Sequence, residues 1–436
     1  MADTVRVIGA GLAGSEAAWQ LAKRGIRVEL YEMKPFCYSP AHQKSGFAEL
    51  VCSNSLKADY LSNASGLLKA EMRLFGSLIL EAADAARIPA GGALAVDRDV
   101  FSDYVTKMLS AHPLIEIKRE RVDEIPDEPV IIATGPLTHE ALSSRIKELP
   151  GFSALHFFDA EAPIVTRDSL DMSRIFAASR YDKGEGDYLN CPMSEDEYNA
   201  FYDALVSAET AEVHDFDKNA VFEGCIAVEI LASRGRQTLA YGPLKPVGLV
   251  DPHTGKRPYA VVQLRRDNLS GSLYNIVGFQ TRLKFGEQKR VFSMIPGLEN
   301  AEFARYGVMH RNTYLNSPDV LGANYQVKGR PLFRFAGQMT GVEGYMESAA
   351  SGLTSGVALA RRLKGKPEPD FGNKTLLGAL ASHVMTPVSD FQPMNANFGL
   401  LPPLESRIRS KKERYEQTAK RSLSELENII QTQQLI

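Results

Sequence analysis

At 436 residues, 44% of them hydrophobic, the chain is too long for one average domain and apolar enough to build two or three cores. Fifty Lys and Arg against 53 Asp and Glu leave a net charge of −3, which argues against a general nucleic-acid sponge, so an RNA partner needs a local basic patch. No apolar run approaches the ~20 residues that cross a bilayer, and the four scattered cysteines, Cys37, Cys52, Cys191 and Cys225, form no CxxC pair, which argues against a disulfide scaffold or a zinc site.

Residues 4–8 read as a short buried strand, followed at once by Gly9-Ala10-Gly11-Leu12-Ala13-Gly14. The glycine pattern and the early Glu16 argue against a signal peptide, so a cytoplasmic protein is expected. Residues 15–24 read as a helix with Ala17, Ala18, Leu21 and Ala22 on one face, and Gly25 stands where a glycine stop belongs. Residues 26–31 alternate as a second strand with Glu32 at its end, completing a βαβ start. The polar stretch 35–66 has little periodicity and is expected to be an elaborate loop with short helices. Residues 91–96, 115–118 and 129–133 are further strand candidates, and 100–109 a helix. From 151 to 298 short strands alternate with helices such as 195–208, and turn pairs recur (Asp251-Pro252, Thr254-Gly255, Ser270-Gly271), which suggests an inserted α+β domain. The α/β pattern returns at 332–336, followed by glycines and a long helix of small residues through Leu363, and 406–436 reads as a helix rich in Lys and Arg.

The motif Gly9-x-Gly11-x-x-Gly14 follows a strand, opens a helix and precedes Glu32 by 18 residues from its last glycine, which is the setting a dinucleotide site requires. Gly9 permits the tight turn, Gly11 the approach of a pyrophosphate, and Gly14 close helix–strand packing. The helix N-terminus offers free N–H groups to the phosphates, and Glu32 can accept ribose hydroxyls. Two later segments favour FAD over NAD. Val130-Ile131-Ile132-Ala133-Thr134-Gly135 resembles the strand–turn of the glutathione-reductase-like FAD family, and Phe335-Ala336-Gly337-Gln338 with Gly344 resembles its late flavin motif. No second such glycine unit occurs, so a separate NAD(P)H-binding domain is missing, and no CxxxxC pair exists for disulfide reduction.

The glycine motif joins three other segments: Glu49-Leu50-Val51-Cys52-Ser53-Asn54-Ser55-Leu56-Lys57, Phe222-Glu223-Gly224-Cys225, and Gly341-Val342-Glu343-Gly344-Tyr345-x-Glu347-Ser348. In this order they resemble the methylenetetrahydrofolate- and FAD-dependent tRNA (uracil-5-)-methyltransferase family across essentially the whole chain. That resemblance implies an α/β, glutathione-reductase-like Rossmann FAD-binding domain in two parts, 1–150 and 299–436, around an inserted α+β domain at 151–298. It also implies conversion of a T-loop uridine to ribothymidine, with methylenetetrahydrofolate as carbon donor, reduced FAD as reductant and NADPH or NADH behind it. The alternative is the family's paralogue, which performs the same chemistry on a uridine of large-subunit rRNA. The expected partners are the tRNA T-arm and folate, with no membrane and no required protein partner.

Carbon 5 of uracil is a poor nucleophile until a thiolate adds to carbon 6, and the carbon-5 proton must later be removed by a base. By resemblance Cys225 is the nucleophile and Cys52 the base near the flavin, while Cys191 and Cys37 are left as structural. Lys57 is a cation that could lower a thiol pKa. His310 resembles the residue that stacks on the pterin, Arg311 could pair with folate carboxylates, and Tyr345 is a contact for flavin or folate. Two basic clusters could hold phosphates or simply be solvated: Lys284, Lys289 and Arg290, and the run Arg407, Arg409, Lys411, Lys412, Arg414, Lys420 and Arg421.

Overall fold

A computed structural model describes residues 4–152, 154–160, 162–182, 186–211, 226–388 and 391–436, without the side chains of 154–160, 182 and 309–311. The βαβ start forms as strand β1 (Val5–Ile8), helix α1 (Leu12–Lys23) and strand β2 (Val28–Tyr31). The helix begins three residues earlier than its apolar stripe suggests. Gly11 is the residue preceding its first turn and supplies no side chain to cap it, so the first N–H groups stay unsatisfied within the helix.

The segment expected to be a loop with short helices holds no helix before residue 64, and its second half forms strand β3 (Ser55–Ala58) and enters helix α2 (Ala64–Leu74). The strand has only four residues, with the burial of a sheet edge, too short for its alternation to stand out. It pairs antiparallel with Ala93–Val96, which in turn pairs with Arg87–Ile88.

Strand β4 (Val130–Ile132) lies parallel to β1, with Val7 opposite Ile131, and β2 lies parallel on the other side, with Val7 opposite Leu30. Of these strands β4 is buried on both faces and reads as a continuous apolar run, whereas β1 and β2 carry Arg6 and Glu29 at partly exposed positions. A second sheet, entirely antiparallel, contains β5 (Tyr188–Met193) beside β6 (Ala260–Arg266), flanked by Phe176–Ala177 on one side and by Leu273–Ile276, Ile164–Thr166 and Phe303–Arg305 on the other. It packs its own core around Cys191, Tyr198, Phe201, Phe279 and Phe292. Ala154–Ala160 and β7 (Met309–Leu315) pair as a two-stranded antiparallel ribbon.

The chain returns to the first sheet as β8 (Arg330–Phe335), parallel to β4, giving the order Gln326–Val327, β8, β4, β1, β2, Ile115–Lys118. Helix α3 (Tyr345–Leu363) then lies against α1. Their closeness depends on glycine: a Cβ on Gly352 would sit 2.1 Å from the Ala13 carbonyl oxygen, and one on Gly356 2.8 Å from that of Ala17.

Two helices close this side, α4 (Leu376–His383) and α5 (Lys411–Gln433), and a single carboxylate joins them to α2. The buried Glu71 accepts the N–H groups of Leu376 (2.8 Å) and Leu377 (2.9 Å) at the start of α4 and the hydroxyl of Ser422 (2.6 Å) on α5. Burial pushes its carboxyl up to about 7, against ~4.3 for an exposed glutamate. The folded protein therefore holds a proton that the unfolded chain releases between these values. The stability this contributes is complete below pH ~4.3 and is lost as pH rises through about 7. Glu71→Gln is expected to flatten the fall of melting temperature from pH 5 to 8, whatever its effect at a single pH. A mutant melting profile parallel to wild type would show that Glu71 does not titrate in this range.

No helix among the described residues is long and apolar enough to cross a membrane, and no group of three metal-ligating side chains forms among them.

Candidate active site

The ends of β1, β4 and β8 and the starts of α1 and α3 open on one cleft. Gly9, Gly11, Glu32, Ala133, Gly135, Gly337 and Tyr345 all line it. Gly14 lies behind the lining, where a Cβ would stand 1.8 Å from the Gly9 carbonyl oxygen. Gly9 has φ +96°, which lets the chain turn from strand to helix in so few residues. Gly11 differs: a Cβ there meets no protein atom within 4 Å, so its bareness leaves room on the cleft side. Glu32 is buried and held from below by the N–H groups of Ala10 (3.0 Å) and Lys34 (3.1 Å).

At the other wall Gly337 (φ +87°) leads from β8, and Gly344 (φ +118°) opens α3, again without a side-chain cap. Two uncapped helix N-termini therefore face one cleft, and N-termini attract anions. This donor set, with a buried carboxylate at the end of β2, fits FAD: N–H groups for the phosphates, Glu32 for ribose hydroxyls, and the start of α3 for the anionic edge of a reduced flavin.

Cys52 follows Val51, which lines this cleft, and is bound through its backbone to a second lining residue. Tyr345, the first residue of α3, accepts hydrogen bonds at its hydroxyl from the N–H groups of Cys52 (2.7 Å) and Ser53 (3.2 Å). Burial raises the Tyr345 phenol well above its ordinary range, so it stays neutral and keeps a proton to donate. Lys57 does not serve as a free cation beside the thiol, because its ammonium pairs with the buried carboxylate of Glu347 (3.2 Å) on the first turn of α3.

The cations near Cys52 are three arginines that the sequence did not single out. Arg98 donates to the Leu50 carbonyl (2.7 Å) and pairs with Asp267 (3.1 Å). Arg265, at the far end of β6, donates to Asn54 Oδ1 (2.9 Å) and Ser53 Oγ (2.8 Å). Arg305 donates to the Val51 carbonyl. Burial, then the charge of Arg98, lowers Arg305 to about 10, with Cys52 among the groups acting in the opposite direction, as it does on Arg265. Residues 50–54 are thus held by the antiparallel sheet, through Arg265 and Arg305, and by two helices, through Arg98 and Tyr345.

Cys225 falls in 212–225, outside the described residues. His310 and Arg311 lie on β7, opposite Asp159 and Phe158 in register, with their side chains outside the described set. Cys191 is buried, its thiol pushed strongly up by burial, and Cys37 is half-buried. Lys284 pairs with Glu209 (2.7 Å) and Arg290 with Glu287 (2.6 Å). On α5 and the segment before it, Arg421 donates to the carbonyls of Pro402 and Pro403, and Lys411 and Arg414 lie over the ring of Tyr415.

A family model described as glucose inhibited division protein A matches residues 4–367. The methylenetetrahydrofolate–tRNA-(uracil-5-)-methyltransferase TrmFO of Listeria monocytogenes is 59% identical over 98% of this chain and 99% of its own. The proteins of the same name from Bacillus licheniformis and Staphylococcus carnosus are 59% and 58% identical, each over 99% of this chain and 100% of their own. Among solved structures, GidA of Aquifex aeolicus superposes with a TM-score of 0.70 at 16% identity, over 98% of this chain and 73% of that one. The chain therefore has the α/β, glutathione-reductase-like Rossmann FAD fold with an inserted domain.

Proposed function

The chain belongs to the methylenetetrahydrofolate–tRNA-(uracil-5-)-methyltransferase family, and from that membership we propose that it methylates carbon 5 of the T-loop uridine in tRNA. It is an FAD-dependent enzyme that takes its carbon from methylenetetrahydrofolate. The observation that supports this reading is the 2.7 Å bond from the Cys52 N–H to the hydroxyl of Tyr345, a residue of the cleft lining.

Cys225 is the thiol assigned to add to carbon 6 of the uracil, on the strength of the Phe222-Glu223-Gly224-Cys225 motif. Cys52 is assigned to take the carbon-5 proton once the one-carbon unit is attached. Arg98, Arg265 and Arg305 anchor the Cys52 segment, and their positive charge offsets that of a thiolate there. Bound FAD supplies the reducing equivalents that turn the attached carbon into a methyl group, and NADPH or NADH restores them. Gly9, Gly11, Gly14, Glu32, Ala133, Gly135, Gly337 and Gly344 shape the flavin site, and His310 and Arg311 are assigned to folate.

The test is transfer of label from methylenetetrahydrofolate, with NADPH present, into unmodified tRNA and large-subunit rRNA transcripts. Label in the T-loop uridine is expected. Label only in rRNA would move the assignment to that RNA, and label in neither would overturn methyl transfer as the function.

A further inference from the structure

The two ends of β6 meet different surroundings. At one end Asn54 Nδ2 donates to the Arg266 carbonyl (2.8 Å), two residues from Cys52. At the other, Tyr259 and the loop before it open on a groove of about 970 Å³, lined in part by Tyr241, Lys245, His253, Lys256 and Arg257. Six residue steps of ~3.3 Å separate these ends, so the groove lies about 20 Å from the Cys52 segment.

Its charge is unbalanced. Lys245, Lys256 and Arg257 are exposed, and none has a carboxylate within ion-pair distance among the described residues. The acids in the lining are mostly committed. Glu197 pairs with Arg174 (2.7 Å) and accepts the Ser194 N–H, and Asp251 is bound by the His253 N–H (2.9 Å) and the Thr254 hydroxyl (3.0 Å). Glu195 and Asp251 have no cation partner among the described residues, against the three cations Lys245, Lys256 and Arg257. Beside the cations Tyr241 projects with 81% of its surface exposed, a large aromatic face in water. The basic cluster around Lys284 and Arg290, by contrast, is neutralised by Glu209 and Glu287.

We propose that this groove holds the RNA substrate outside its reacting loop, with backbone phosphates on Lys245, Lys256 and Arg257 and a base or ribose against Tyr241. Uncompensated cations beside an exposed aromatic ring match a polyanion that carries flat, stackable groups. A span of about 20 Å is within the reach of one A-form helical arm of RNA. The inference rests on the tRNA reading above, and it gives a chain of net charge −3 the local basic patch that reading demands.

The experiment compares the wild-type holoenzyme with Tyr241→Ala and with the triple variant Lys245→Glu, Lys256→Glu, Arg257→Glu, using a full-length tRNA transcript. Methylation kinetics and binding are measured from 50 to 200 mM salt, alongside flavin content. The triple variant is expected to raise the tRNA KM at least about tenfold with kcat within about twofold, and to lower the log–log salt slope by about 2 to 3, near 0.7–0.9 per lost phosphate contact. Tyr241→Ala, at a side chain too exposed to support the fold, is expected to weaken binding about fivefold or more. Wild-type KM and salt slope in both variants would overturn the groove while leaving methylation intact. Failure of the wild type to methylate tRNA would overturn the proposed function and the groove together.

Discussion

Cys52→Ala is expected to lower kcat for methyl transfer by about 10²- to 10⁴-fold, the range general-base removal produces, while flavin content and tRNA KM stay near wild type. The separation follows from how residue 52 is held. Its structural bond is a backbone N–H to Tyr345, and alanine keeps that N–H. The neighbouring anchors, Arg265 on Ser53 and Asn54 and Arg305 on the Val51 carbonyl, also bypass the Cys52 side chain. The substitution therefore removes the sulfur and leaves these anchors in place. The measurement is single-turnover label transfer with protein of known flavin occupancy. A C52A enzyme within about threefold of wild type would show that another group takes the carbon-5 proton.

The second large effect separates folding from binding within one glycine motif. Gly14→Ala would place a methyl 1.8 Å from the Gly9 carbonyl oxygen. The carbonyl is backbone and the Cβ is fixed rigidly to backbone, so relief requires the strand-to-helix turn itself to move. The expected cost is about 3 kcal/mol or more, the upper part of the overpacking range, together with loss of flavin. Gly11→Ala adds the same methyl where no protein atom lies within 4 Å, at a φ of −72° that alanine adopts freely. That variant is expected to keep its apoprotein melting temperature and still lose flavin affinity, because its methyl points into the space left for the pyrophosphate. Calorimetry of the apoproteins and flavin titration check both. Equal flavin affinity for G11A and wild type would place the pyrophosphate elsewhere.

What the sequence made legible was local. The start β1–α1–β2 rests on glycines within six residues of each other and on an acid at a fixed spacing, so one short window holds the whole argument. β8 and α3 were legible for the same reason: an apolar run, glycines, then a long stretch of Ala, Ser and Gly. The surroundings of Cys52 were not legible. Arg98, Arg265 and Arg305 come from a helix and two strands far apart in the chain, and each sits in a segment whose period reports only its own element. β3 was hidden because four residues at a sheet edge need only one buried position. Lys57 was misplaced on proximity in sequence. Its backbone has φ +65°, and its ammonium reaches Glu347, 290 residues later.

The contact of α1 with α3 also has a consequence for the order of events on the ribosome. Gly9, Gly11 and Glu32 of the flavin cleft are made within the first 32 residues, but Gly337 and Tyr345, which also line it, are synthesised some three hundred residues later. The second antiparallel core, with its nearer partners, is made in between. The glycines that let the helices meet, Gly352 and Gly356, come later still. The nascent chain therefore carries the face of α1 that will meet Gly352 and Gly356 uncovered through most of translation, although Ser77 and Ile79 bind Glu16 on that helix far earlier. Cofactor loading falls at the end of synthesis, after the inserted domain has had time to fold by itself.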